Sequence, residues 1–237
     1  MLIRRSPSIQ AYLTSNKDTY GAGWVRFGAI LGSICANDQF LCGWRVHRSE
    51  AEGPSNEGID PVESPLEAMK FYLSQGLGRD GIYSAAASRW IDGNFMARHA
   101  SFNWGAGKTD RFSLRVEKPD LQPEITIDRF LKLIDLVLDW QPGAHIWCGD
   151  RKYVNDGLNL FAPDRVPAPW ISWTDRKVPQ EAIPSAFDVR PSRGGTLIVT
   201  TQDYWNVTGG EAYIERAHQV EAEMNEAGVL PRIIDMQ

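Results

Sequence analysis

Four histidines, three cysteines and one Gly-Lys-Thr string are the residues of this chain whose types and spacing could do chemistry. Gly105-Ala106-Gly107-Lys108-Thr109 looks like the end of a phosphate-cradling loop. That loop needs a glycine, four residues, then Gly-Lys-Ser/Thr. The first glycine would fall at 102, which is Phe102. Downstream, Phe112, Leu114 and Val116 alternate with Arg111, Ser113 and Arg115. This is the period of a half-solvated strand, whereas a phosphate cradle needs a helix N-terminus there. A hairpin turn is the expectation.

His145 and Cys148 are three apart in a strand-like run, so their side chains point to opposite faces and cannot easily share one ion. No CxxC or HxxxH completes a metal set, and no Gly-x-Ser-x-Gly marks a nucleophile elbow. His47, His99, His145 and His218 stand in unrelated contexts. Asp135 and Asp139 are four apart, as on a solvated helix face. The expectation is a chain without catalytic residues, metal site or cofactor.

The elements that would carry any site follow from caps and periodicity. Ser8–Thr14 reads as a strand. Asp18 or Thr19 caps a helix to about Ala36, with Trp24, Phe27, Leu31 and Ile34 on one stripe. Phe40–Val46 reads as a strand, and Ser49–Ser64 as a loop. Pro65 starts a helix to Ser74, with Leu66, Met69, Phe71 and Leu73 as its apolar residues and Gly76-Leu77-Gly78 as its stop. Phe95–Trp104 and Arg111–Val116 pair across the turn. Thr126 caps a helix over Ile127–Trp140. Ala144–Cys148, Trp170–Trp173 and Thr196–Thr201 read as short strands, and a last helix runs from about Gly210 to Ala227, with Gly228 as its stop. The order neither repeats nor alternates as βαβ. The expected fold is α+β, a mostly antiparallel sheet packed with several helices, in one domain over residues 1–237.

Composition narrows the function. The chain has 25 Lys plus Arg against 30 Asp plus Glu, a net charge of −5. That counts against direct nucleic-acid binding. Its early apolar run, Gly21–Cys35, is too short to span a bilayer and contains Arg26, so no membrane association is expected. Cys35, Cys42 and Cys148 read as reduced thiols of a cytoplasmic protein, since Ser6-Pro7-Ser8 stands where an export signal would have its apolar core. The charge is uneven. Between Ser49 and Met69 stand Glu50, Glu52, Glu57, Asp60, Glu63 and Glu67, with no Lys or Arg. Such a stretch is either a solvated loop or a surface that competes for a basic groove. The nine tryptophans also divide. Trp24, Trp44 and Trp140 fit core positions; Trp90, Trp104, Trp170, Trp173 and Trp205 sit in or beside loops as anchors or covers; Trp147 is undecided.

The run Trp170–Trp173, a proline-rich connection, Gly194-Gly195-Thr196-Leu197-Ile198-Val199-Thr200-Thr201 and a helix ending Ala227-Gly228-Val229-Leu230-Pro231 resembles the immunity protein 52 family. Ala11-Tyr12-Leu13, the strand with Trp44 and the helix ending Leu138-Asp139-Trp140-Gln141-Pro142 are similar in order. The chain departs at Leu13 and Ser15-Asn16-Lys17, where the family usually has an aromatic pair and a charged helix start. The resemblance implies a cytoplasmic, non-catalytic antidote to a bacterial polymorphic toxin. That toxin would be a nuclease of restriction-endonuclease-like fold, often delivered by type VI secretion, and the antidote a monomer or weak homodimer when free. The residues expected to meet it are Glu50, Glu52, Glu57, Asp60 and Glu63, with Trp90 as a nearby anchor. An enzyme with a pocket of distant His and carboxylate residues, and a structural adaptor, are the rival readings.

Overall fold

The structure is a computed structural model. It describes residues 7–47, 58–78, 83–91, 95–105, 107–116, 125–205, 207 and 210–236, and the backbone alone at 90, 91 and 95–97. Strand β1 (Pro7–Thr14) leads to helix α1 (Tyr20–Asn37), the short strands β2 (Val46–His47) and β3 (Gly58–Ile59), and helix α2 (Pro65–Ser74). Strands β4 (Tyr83–Ile91), β5 (Phe95–Trp104) and β6 (Thr109–Val116) follow, then helix α3 (Ile127–Trp140), strand β7 (Gly143–Asp150) and helix α4 (Arg151–Asn155). Strands β8 (Ile171–Thr174), β9 (Asp188–Ser192) and β10 (Gly195–Val199), and helices α5 (Glu211–Glu226) and α6 (Ile233–Met236), complete the order. The fold is α+β. One eight-stranded sheet runs β4-β5-β6-β1-β7-β8-β10-β9, antiparallel throughout, and β2 pairs with β3 apart from it.

The period of two decides which way each strand packs. Ile9, Ala11 and Leu13 of the central strand face Trp24, Phe27 and Leu31 of α1 and Phe130, Leu133 and Val137 of α3. Tyr12 and Trp147 face the other way, onto Val166 and Met236. A third cluster joins Ile198 of β10 to Val220 and Met224 of α5 and to Leu230. The caps read in the sequence are in place: Thr19 accepts from Ala22 N and Thr126 from Arg129 N, both at 3.3 Å.

Three expectations are corrected. Phe40–Val46 is not a strand: Asp38 accepts from Phe40 N and starts a 3-10 turn at Gln39–Leu41, and Gly43 at φ +80° turns the chain again, so only Val46 and His47 pair. Cys35 and Cys42 are not separate thiols. The end of α1 and that 3-10 turn bring their Cα atoms to 4.7 Å, and the two are joined in a disulfide, while Cys148 is free and buried. Trp104, Trp170, Trp173 and Trp205 are not surface anchors. All four are buried, as is Trp147; Trp104 and Trp173 are themselves strand residues, of β5 and β8. The α2 helix stands as read, burying only Ala68 fully and leaving Leu66 and Leu73 exposed.

Candidate functional site: an acidic turn beside an edge strand

Asp60 and Glu63 lie in the turn between β3 and α2. Pro65 fits the first turn of α2, where its missing N–H costs nothing. Asp60 shapes the turn: one carboxylate oxygen accepts from Val62 N at 2.8 Å, its carbonyl accepts from Ser64 N at 3.0 Å, and its other oxygen pairs with the Arg45 guanidinium. Asp60 is therefore partly spent on local structure. Glu63 is exposed and open to solvent. Glu50, Glu52 and Glu57 lie outside the described residues. Trp90 is on β4, its backbone paired with Met96; its side chain lies outside the described residues.

The backbone brings the acidic turn and β4 together. Arg45 bridges Ser88 with two hydrogen bonds of 2.9 Å, and Arg45 also holds Asp60. Val46 pairs with Ile59. Asp60 and the Trp90 backbone thus share one margin of the sheet, since β4 is an edge strand. Sequence reasoning grouped the two as one partner surface but could not say which backbone contacts join them.

The margin is electrostatically mixed. Arg89 and Arg98 both donate to the Cys42 carbonyl, at 2.9 and 3.2 Å, and Arg98 lies 3.8 Å over the Phe40 ring. Burial, with Arg89 close by, pushes Arg98 down to about 10, so it stays charged at neutral pH. His99 shares a 3.0 Å hydrogen bond with Ser88 Oγ, and burial with Arg115 nearby lowers it to about 4.

No protein-family model matches the chain, and no curated protein matches it in sequence. A solved structure does: Pseudomonas aeruginosa T6SS protein PA0821, with a TM-score of 0.53 over 92% of this chain and 73% of that one. Identity is 11%, so the likeness is one of fold.

The remaining chemical candidates fall into structural places. Gly105, at φ +83°, begins the β5–β6 hairpin turn, as its spacing predicted, and a strand follows where a phosphate site needs a helix. His145 is fully buried, and burial lowers it to about 3; its Cα partners are Tyr12 and Thr174. Cys148, on the opposite face of β7, has its thiol pushed up by burial. Among the described residues no three His, Cys, Asp or Glu are grouped to hold a metal ion. Asp135 and Asp139 both pair with exposed Arg193. Among the described residues, one surface cleft of about 300 Å³ is lined by Asp38, Asp128, Arg129 and Lys132, and another of about 550 Å³ by Leu138, Trp173, Asp175 and Arg193. Neither has a histidine in its wall.

A buried carboxylate escaped sequence reasoning. Glu221 of α5 is 1% exposed and accepts from Leu160 N at 2.8 Å and Ala168 N at 2.9 Å. Burial raises it and the two backbone donors lower it, burial being the larger. Its role is to pin the 157–169 loop. The readable signal was its spacing: Ala217, Glu221 and Met224 are four and three apart, on the buried stripe.

Proposed function

We propose that this chain is an immunity protein of a type VI secretion system, which binds and neutralises a cognate toxin of the polymorphic-toxin kind. The observation that carries the reading is the fold shared with a Pseudomonas aeruginosa T6SS protein across nearly the whole chain. The C-terminal resemblance to the immunity protein 52 family and the acidic stretch from Glu50 to Glu67 support it independently. The toxin is a nuclease, whose basic substrate groove a surface of this charge would complement. Inhibition needs no chemistry from this chain. It needs an interface of roughly 1,600 Å² that denies the groove to nucleic acid.

No helix among the described residues is long and apolar enough to cross a membrane. A nuclease acts where the nucleic acid is, so the antidote works in the cytoplasm.

The test is co-expression in bacteria of the product of the adjoining gene, with and without this chain. Growth arrest relieved by this chain, with a one-to-one complex recovered, is expected. Arrest that persists despite co-expression, with no complex, overturns the reading.

A further inference from the structure

Helix α1 carries a single charge, Arg26, in its 18 residues, and that charge turns inward to Asp18 and Gln141. Its outward residues, Ala22, Val25, Ala29 and Ala36, bear none. The neighbouring face of α1 is built from glycine. A Cβ on Gly28 would stand 2.3 Å from the Pro61 carbonyl oxygen, one on Gly32 3.1 Å from Val62, and one on Gly21 3.6 Å from Leu66. The turn and α2 therefore lie directly on α1. Val62, Leu66, Leu73 and Leu77 follow along the pair, and Tyr83 extends the row, its ring 5.3 Å from Tyr20. Leu66 is 48% exposed and Leu73 43%. Single exposed apolar residues are ordinary; a row of them along two packed helices, broken on α2 by Lys70 between Leu66 and Leu73, marks a contact surface.

We infer that this α1–α2 ridge is the apolar centre of the docking surface, and that its occupant is the basic toxin of the proposed function, on which this inference rests. Charge selects the occupant. Glu63 and Glu67 flank the ridge and are exposed, and no Lys or Arg occurs from Ser49 to Met69; Lys70 is the one cation of α2. A second copy docked about a two-fold axis would set those acids against themselves, a repulsive arrangement. A partner with an apolar patch ringed by Lys and Arg meets no such penalty. Leu66 and Leu73, seven apart on one side of α2, are the central anchors.

The experiment measures binding kinetics of the purified product of the adjoining gene to wild type and variants, with sedimentation of each chain alone. The expected result for Leu66→Asp with Leu73→Asp is an affinity loss of roughly 100-fold, mostly in the off-rate. Glu63→Lys with Glu67→Lys slows association by about tenfold and weakens its salt dependence. Phe187→Asp, exposed near the opposite sheet edge, leaves binding unchanged. Leu66→Ser with Leu73→Ser guards against misfolding: it keeps the wild-type unfolding midpoint and still loses affinity. A large fall in that midpoint means the ridge packs on its own chain and overturns the inference. Wild-type binding by all ridge variants overturns the ridge while the antidote reading stands. A dimer abolished by Leu66→Asp assigns the ridge to a second copy and overturns it as well. A wild-type chain that does not bind the product at all removes both readings.

Discussion

Trp170, Trp173 and Trp205 each donate an indole N–H to a backbone carbonyl, of Thr201, Ser192 and Pro169, at 2.9–3.1 Å. In the N-terminal half Trp44 and Trp104 are equally buried, yet their indole N–H groups find no acceptor among the described residues. Trp104 is instead stacked between Tyr20 and Phe102, with centroids at 5.6 and 5.0 Å, over Gly23, whose absent Cβ would stand 2.1 Å from the ring. The two regions bury the same residue type by different means. The C-terminal third is cross-braced: Glu221 holds two loop amides, Glu223 takes Ser185 N and Oγ, and His218 Nε2 meets the Leu158 carbonyl at 2.6 Å. The N-terminal half has braces of its own, such as Arg45 on Asp60 and the Cys35–Cys42 bridge, but it packs its tryptophans by shape. One region should therefore be sensitive to loss of a polar partner, the other to a change of volume. The half that packs by shape is also the one that presents the apolar ridge.

The sharpest test is Glu221→Ala. It takes the carboxylate partner from the amides of Leu160 and of fully buried Ala168, at a cost of about 2 kcal/mol. Urea unfolding should show the midpoint falling, with loss of protection at 157–169 in hydrogen exchange. A loss well under 1 kcal/mol would mean the loop is held by packing after all, and the contrast with the N-terminal half would dissolve.

Gly28→Ala probes the other side. A methyl group gains about 1 kcal/mol of helix propensity. Here it must also displace the Pro61 carbonyl, 2.3 Å away, which outweighs that gain and leaves a net loss of about 2 kcal/mol. The same change pushes α2 off α1, so unfolding measurements and toxin binding should worsen together. Stabilisation would show that the close approach is not what holds α2.

Acid tests the sheet that joins the two regions, through His145 on β7, beside β1 and β8, and His99 on β5. Burial lowers both, to about 3 and about 4, below the ordinary value of 6.5. The unfolded chain thus binds protons that the folded chain refuses. Stability is full above pH 6.5 and is lost as pH falls toward 4, with about 1 kcal/mol gone at pH 5.5 from His145 alone. His145→Phe should flatten the curve in that window without removing the His99 share. An unchanged pH dependence would mean His145 gains a proton in the folded state.

Much of the fold was legible because its signals are local. Thr19, Thr126 and Gly228 cap or stop helices by their own chemistry, and the 3, 4, 3 spacing of Trp24, Phe27, Leu31 and Ile34 is a property of the segment itself. Strand β4 escaped because Ser84-Ala85-Ala86-Ala87-Ser88 carries no large alternation; its two edge neighbours make it a strand. The disulfide was missed because the cysteines were read by compartment rather than by the 3-10 turn that brings them together, and Glu221 because its two amide partners lie 61 and 53 residues away. The candidate site was legible as charge but not as shape. Leu66, Met69, Phe71 and Leu73 read together as the apolar residues of one helix, and only contact with the rest of the fold decides which are wet: Leu66 and Leu73 are exposed, while Met69 and Phe71 pack partly against the core. The acidic run was found; the apolar row beside it was not.

The smallest expected effect makes the last distinction. Arg193 also braces two acids, reaching Asp135 and Asp139 of α3 from the β9–β10 turn at 2.5–3.2 Å. Drawn on paper, this fork looks stronger than the clamp made by Glu221. It lies in water, however, where exposed ion pairs contribute little. Arg193 also sits at φ +50°, a left-handed conformation that glycine adopts without the steric cost. Arg193→Gly removes the fork and relieves the backbone, so its thermal midpoint should match the wild type or rise slightly. If it instead fell as far as Glu221→Ala, bracing would follow the number of hydrogen bonds rather than their burial, and the difference between the two regions would need another cause.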